Sequence, residues 1–217
     1  MLNKSRITTE NLREKLSEEW NKKAYLTDEI IDQCVISIIK KKELKRATFL
    51  SALNIEIAIY KDAKMSMRSE FDQTVTIKKI VKTLKIDLEK DWKSLVIPIH
   101  GGLHWSCLLY KRKKDLTELY HLDSICGHNE SQCKDVVKFL ESYEMVNSEY
   151  KLWQPKYFQQ SSNWECGFYT ILAAYIFLTR KTTEVLEMCK KSESRQKEFL
   201  FEEMFDFFDD CTITYIK

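Results

Sequence analysis

The chain has 217 residues, of which 44% are hydrophobic, 12% aromatic and 31% charged. So much apolar and aromatic area excludes an extended disordered chain, and the length suits a single domain over residues 1–217. With 35 Lys and Arg against 33 Asp and Glu, the net charge of +2 argues against a nucleic-acid binder and against a membrane-surface protein.

Leu12, Leu16 and Trp20 recur every four residues and predict a helix over 8–21, capped by Thr8 or Thr9. A second helix is predicted over 27–40, with Thr27 as its cap, Asp28 and Glu29 in the first turn and lysines 40 to 42 at its end. Ile30, Ile31, Cys34, Val35 and Ile38 form its apolar stripe. Residues 43–70 show no firm period beyond a candidate strand near Ile55 to Tyr60, and Val75, Ile80 and Leu84 predict a helix over 73–84. Leu95 to Ile99 reads as a buried strand. Trp105 to Tyr110 and Leu116 to Leu122 flank the polar turn 111–115 and read as a hairpin, with 110 opposite 116 and 104 opposite 122. A helix over 129–143, a short strand from Tyr150 to Trp153 and a buried helix from Cys166 to Leu178 follow. One or two amphipathic helices over 183–209 bury Leu200, Phe201, Met204, Phe205 and Phe208. The sum is a small sheet packed among helices, an α+β pattern.

All four glycines and both prolines lie between positions 98 and 167, so any site that needs unusual backbone is expected there. Seven cysteines form no CxxC pair, and the polar start is unlike a secretory signal. Reduced thiols in the cytoplasm or nucleus fit that usage. The apolar run at Cys166 to Leu178 is well short of the ~20 residues that span a bilayer.

Cys166 stands where a polar loop, Asn163-Trp164-Glu165, enters this apolar helix. A thiol at a helix N-terminus meets the positive end of the dipole and unpaired backbone N–H groups, which favour the nucleophilic thiolate. Gly167 is expected to leave room for a substrate main chain. A cysteine nucleophile needs a base, and His104, at the start of a strand after Gly101-Gly102-Leu103, is the candidate, with His100 as its local rival. The base needs an orienter, and Asp123 ends the partner strand. Gln160, six residues before Cys166, can supply an oxyanion donor beside the Cys166 N–H. Each residue alone has a plainer reading: a buried thiol, a packed histidine, a turn aspartate, a polar loop amide.

Together the motifs His104-Trp105-Ser106, Tyr120-His121-Leu122-Asp123-Ser124 and Gln160 to Cys166-Gly167 resemble the Ulp/SENP family of cysteine proteases, which remove ubiquitin-like modifiers from proteins. The Gly101 to Ser106 run looks most like the deneddylase branch. Tyr25-Leu26-Thr27-Asp28-Glu29-Ile30-Ile31 is similar to the family's Trp-Leu-Asn-Asp-x-Ile-Ile segment. The resemblance covers about residues 20 to 180 and departs from the pattern at Glu165, where the family has Asp, and at Tyr25, where it often has Trp. It implies a papain-like, Ulp-type fold with a small mixed central sheet. It implies a triad of Cys166, His104 and Asp123, with Gln160 at the oxyanion. Trp105, Tyr25 and Asp28 would bind a Gly-Gly tail. No metal or cofactor is implied. The partner would be ubiquitin, the neddylation modifier or a SUMO-type modifier, the protein a monomer, and residues 43–92 the variable recognition region. Lysine supplies 28 of the 35 basic residues, which would suit a bacterial effector from an AT-rich genome acting in host cytosol, as well as a eukaryotic protease.

Three other readings stand beside this one. Related effectors use the same residue set for acetyl transfer from acetyl-CoA. A modifier-binding module without activity would retain the same motifs. Cys126, His128 and Cys133 are close enough in sequence to bind zinc, at a spacing that matches no common pattern.

Overall fold

The computed structural model describes residues 7–59, 92–113, 116–146, 150–191 and 194–216. The chain begins with β1 (Ile7–Asn11), α1 (Leu12–Asn21), α2 (Asp28–Lys41), β2 (Ala47–Phe49) and α3 (Ala52–Ile59). It continues with β3 (Ser94–Gly101), β4 (His104–Arg112), β5 (Thr117–Leu122), α4 (Glu130–Ser142) and β6 (Tyr150–Trp153). Helices α5 (Cys166–Thr179), α6 (Thr182–Lys191) and α7 (Ser194–Phe207) precede a last strand, β7 (Thr212–Ile216).

A five-stranded mixed sheet in the order β2-β3-β4-β5-β6 forms the centre. Its three inner strands are antiparallel, and β2 and β6 join parallel at the two edges. Side chains alternate across it, as strand geometry requires. Val96, Trp105, Cys107, Leu109, Tyr120 and Leu122 face one core with α1, α2, α5, α6 and α7. Leu95, Ile97, Ile99, Leu108, Tyr110 and Leu119 face a second core with α3 and α4. Helix α5 is buried from Cys166 through Phe177. A helix apolar on all sides belongs inside, and this one lies between the sheet and the outer helices. The expected α+β class is what the chain adopts.

Several expectations shift. The helix expected over 8–21 is a strand up to Asn11, and Asn11, not Thr8 or Thr9, caps α1 by accepting from the Glu14 N–H at 3.0 Å. The strand near Ile55 to Tyr60 is instead α3 up to Ile59, with Ile55 and Ile59, one helical turn apart, packed into the second core. The helix expected over 73–84 lies outside the described residues. The hairpin exists in a different register: Arg112 faces Thr117 and Cys107 faces Leu122. Its turn is tighter than expected, closed by the Lys113 N–H on the Leu116 carbonyl at 2.9 Å. An odd slip of this kind moves every side chain to the opposite face. Thr27 caps α2 as expected, accepting from the Ile30 N–H at 3.4 Å. Among the described residues no helix is long and apolar enough to cross a membrane.

The antiparallel pair of β1 and β7 brings residues near the two ends of the chain together. Asn11 fastens this pair to the helices, since its Nδ2 also donates to the Asp209 carbonyl at 2.6 Å. Replacing Asn11 with Ala should lower unfolding free energy by about 1–2 kcal/mol, measured by denaturant titration, as a lost cap with an added tether.

Candidate active site

A two-residue turn delivers His104 to the site. Gly101 pairs with His104 across Gly102 and Leu103, whose φ values are 57° and 65°. Two successive left-handed residues match the twist of a tight hairpin, which glycine meets freely and leucine does not. Leu103 is 78% exposed at the tip. The turn packs against the start of α4: a Cβ on Gly101 would stand 2.8 Å from Asn129 Oδ1 and 2.8 Å from Gln132 Cδ.

His104 Nε2 lies 2.6 Å from Asp123 Oδ1, and both side chains are buried. The Cys166 Sγ lies 4.0 Å from the Asn163 carbonyl and acts electrostatically on the same ring. Burial works against charge on this imidazole, but the hydrogen bond to Asp123 and the interactions with Asp123 and Cys166 outweigh it and raise its pKa from 6.5 to about 9. Burial likewise opposes charge on Asp123, and its bonds to His104 and to backbone N–H groups hold the carboxyl below the ordinary range. Those N–H groups belong to Ile125, on Oδ1 at 2.9 Å, and Asn129, on Oδ2 at 3.1 Å. Asn129 Nδ2 then donates to the His104 carbonyl at 3.2 Å and the Ser106 hydroxyl at 3.1 Å. Asn129 therefore braces both members of the pair, a role that sequence reasoning missed. Its place just ahead of α4 was the available signal.

The other histidines are placed differently. His100 stacks on Trp105 at 4.5 Å, His128 meets the His104 ring edge-on at 4.7 Å, and buried His121 bonds Ser106 with its pKa pushed down by burial. His100, the local rival, does not reach Asp123. Cys126 is exposed while Cys133 is fully buried in the second core, and no cluster among the described residues can hold a metal ion.

Cys166 opens α5 with its thiol buried. The loop before it is tied down by Glu165, whose Oε2 accepts from the Ser161 N–H at 2.8 Å and the Ser162 N–H at 3.1 Å. Trp164 and Phe168 wedge against Trp20, at 5.0 and 4.9 Å between centroids. Gln160 stands in the same loop, bonded to Ser124 and Ser162. Gly167 packs tightly at the start of α5. A Cβ there would sit 2.8 Å from Leu26 Cβ, so the glycine lets Leu26 pack directly against the helix.

A cleft of about 330 Å³ adjoins these residues. Tyr25, Leu26, Thr27 and Asp28 form one wall, and Leu53, His100, Leu103 and Trp105 face them. Trp105 is 6% exposed and its indole N–H is held by the Leu26 carbonyl at 3.1 Å. Tyr25, in contrast, is 49% exposed. Substituting Gly167 with Ala should cost about 1–3 kcal/mol by overpacking against Leu26. Thermal denaturation of the variant beside the parent protein checks this.

The profile of the Ulp1 protease family, C-terminal catalytic domain, matches residues 24–206. No curated protein sequence matches the chain. Among solved structures, a de-sumoylating protease is 20% identical, with 89% of this chain and 77% of that chain covered at a TM-score of 0.60. The C-terminal Ulp1 protease domain in complex with Smt3, the yeast ortholog of SUMO, is 15% identical over 88% and 80% of the two chains, with a TM-score of 0.49. The Xanthomonas campestris effector XopD, bound to ubiquitin, is 13% identical over 84% and 91%, with a TM-score of 0.46. At such identities the first of these shows a shared fold. The profile covers most of the sequence, and the chain therefore belongs to the Ulp1 family of cysteine proteases that act on ubiquitin-like modifiers.

Proposed function

We propose that this protein is an isopeptidase that cleaves after the C-terminal Gly-Gly of ubiquitin or a ubiquitin-like modifier, using Cys166, His104 and Asp123 as its triad. The observation that carries this reading is the buried His104 ring, bonded to the Asp123 carboxylate at 2.6 Å, with the Cys166 thiol at the start of α5 acting on the same ring. His104 takes the thiol proton, and the sulfur attacks the carbonyl carbon of the terminal glycine. Gln160 and the Cys166 N–H donate to the oxygen that becomes negative. The C–N bond breaks as His104 returns its proton to the departing lysine amine, leaving a thioester on Cys166. Water, deprotonated by His104, then hydrolyses the thioester to a free carboxylate and restores the thiol.

Trp105 and Tyr25 border the path of the tail, and Asp28 at its mouth suits a tail with an arginine ahead of Gly-Gly. That chemistry fits ubiquitin or the neddylation modifier, in line with the deneddylase-like run at Gly101 to Ser106. Action in the cytosol or nucleus, by a single copy of the chain, completes the reading.

Electrophilic probes built on the C-termini of ubiquitin, the neddylation modifier and a SUMO-type modifier test this directly. One of them should form an adduct that disappears in Cys166→Ala, which still binds the unmodified modifier. No adduct with any probe, or turnover retained in Cys166→Ala, removes the proposal.

The pH profile gives a second check. The proton that His104 returns to the amine is held up to about pH 9, so kcat/KM should fall above that value. In Asp123→Asn the partner that raises the ring is gone and burial is less opposed. The alkaline limb should then move to lower pH, read from initial rates across pH 5 to 10, on the order of the carboxylate's known leverage on a neighbouring imidazole.

A further inference from the structure

Ser124 follows the orienting aspartate and is 2% exposed, yet the mechanism above gives it no task. Its hydroxyl donates to Gln160 Oε1 at 2.6 Å, and its carbonyl accepts the Gln160 N–H at 3.1 Å. At the other end of the amide, Gln160 Nε2 donates to the Ser162 carbonyl at 2.7 Å. A carbonyl only accepts, so the amide nitrogen must stand on the Ser162 side and the amide oxygen on the Ser124 side. The hydroxyl of Ser124 meets that oxygen with a proton. The side chain is thus held at both ends, and Nε2 keeps one N–H beyond the bond to Ser162.

Resting on the proposed function, we infer that Ser124 is a positioning residue that fixes the Gln160 amide for the developing oxyanion. The dipeptide Asp123–Ser124 then sets two groups at once, the base through the carboxylate and the oxyanion donor through the hydroxyl. Electrostatic stabilisation of a transition state depends on donors that are already oriented before charge appears. An amide released from Ser124 can turn about its last bond, and half a turn puts a lone pair where the donor belongs. The segments themselves do not rely on this hydroxyl. Gln159 Nε2 donates to the Asp123 carbonyl at 3.2 Å, and Gln159 Oε1 accepts from the Cys126 N–H at 3.2 Å. Removing the hydroxyl therefore loosens the amide while the strand end and the loop stay joined.

Two reactions of the same thiol separate this role from a general structural one. Hydrolysis of a fluorogenic modifier conjugate passes through an oxyanion. Alkylation of Cys166 by iodoacetamide, followed by mass spectrometry of its peptide, needs the Cys166–His104 pair but forms no oxyanion. In Ser124→Ala, kcat should fall about tenfold, part of the usual loss on removing a whole donor, with KM unchanged and the Cys166 alkylation rate unchanged. Ser124→Thr, which keeps a hydroxyl, should recover most of the rate. In a Gln160→Ala background, Ser124→Ala should cost nothing more. An unchanged kcat in Ser124→Ala, or alkylation slowed in step with hydrolysis, or a full additional loss in the Gln160→Ala background, overturns the inference. A parent protein that is alkylated normally but hydrolyses no conjugate overturns the proposed function instead.

Discussion

A carboxylate withdrawn from water must find donors for its lone pairs or surrender its charge. Asp123 finds three: the His104 ring and the backbone N–H groups of Ile125 and Asn129. The rest of the site is arranged around that solution. The Asn129 N–H sits just ahead of α4, so the helix start is positioned by the carboxylate it serves. The Asn129 side chain then holds the main chain of His104, closing a loop of contacts from ring to carboxylate to amide and back. Because the aspartate is fixed from behind, its remaining capacity is spent on one ring nitrogen, and the ring's other side is left for sulfur.

The two halves of the chemistry come from distant stretches of chain, and their junction explains several small departures. The strand end at Asp123 and the loop before Cys166 are laced by Gln159 and by the backbone of Gln160. Glu165 has one methylene more than the aspartate usual in the family, and it spends that reach on two N–H groups of its own loop. Leu26 occupies the notch left by Gly167 and also holds the Trp105 indole through its carbonyl. A single residue of the 25–28 segment therefore seats both the nucleophile's helix and the aromatic wall beside it.

The candidate site was legible in the sequence because each group sits inside a local pattern: a histidine just after a Gly-Gly-Leu turn, an aspartate at a strand end, a cysteine where polar loop meets apolar helix. The main elements were legible for a similar reason, since α2 carries a period and a cap, α4 an apolar stripe, and α5 an unbroken apolar run. What escaped was set by partners far away in the chain. Strands β1 and β7 pair across some two hundred residues, and neither has a period that announces it. The slipped register of β4 and β5 follows from a turn set further along the chain than the polar composition of 111–115 indicated, with Arg112 opposite Thr117. Ser124, Asn129 and Gln159 look like ordinary polar residues until their acceptors and donors are in view. The contact of Gly167 with Leu26 was out of view for the same reason, because Leu26 lies 141 positions earlier.

Leu103 marks a place where stability and purpose pull apart. A leucine held in left-handed backbone costs about 1–2 kcal/mol, which glycine at the same position would not incur. Yet the side chain it presents forms part of the cleft wall, and glycine has nothing to present. A programme that selects variants for heat resistance alone would find this turn early and flatten it. The resulting protein would withstand more heat with one wall of its cleft removed, a familiar bargain concentrated in one side chain.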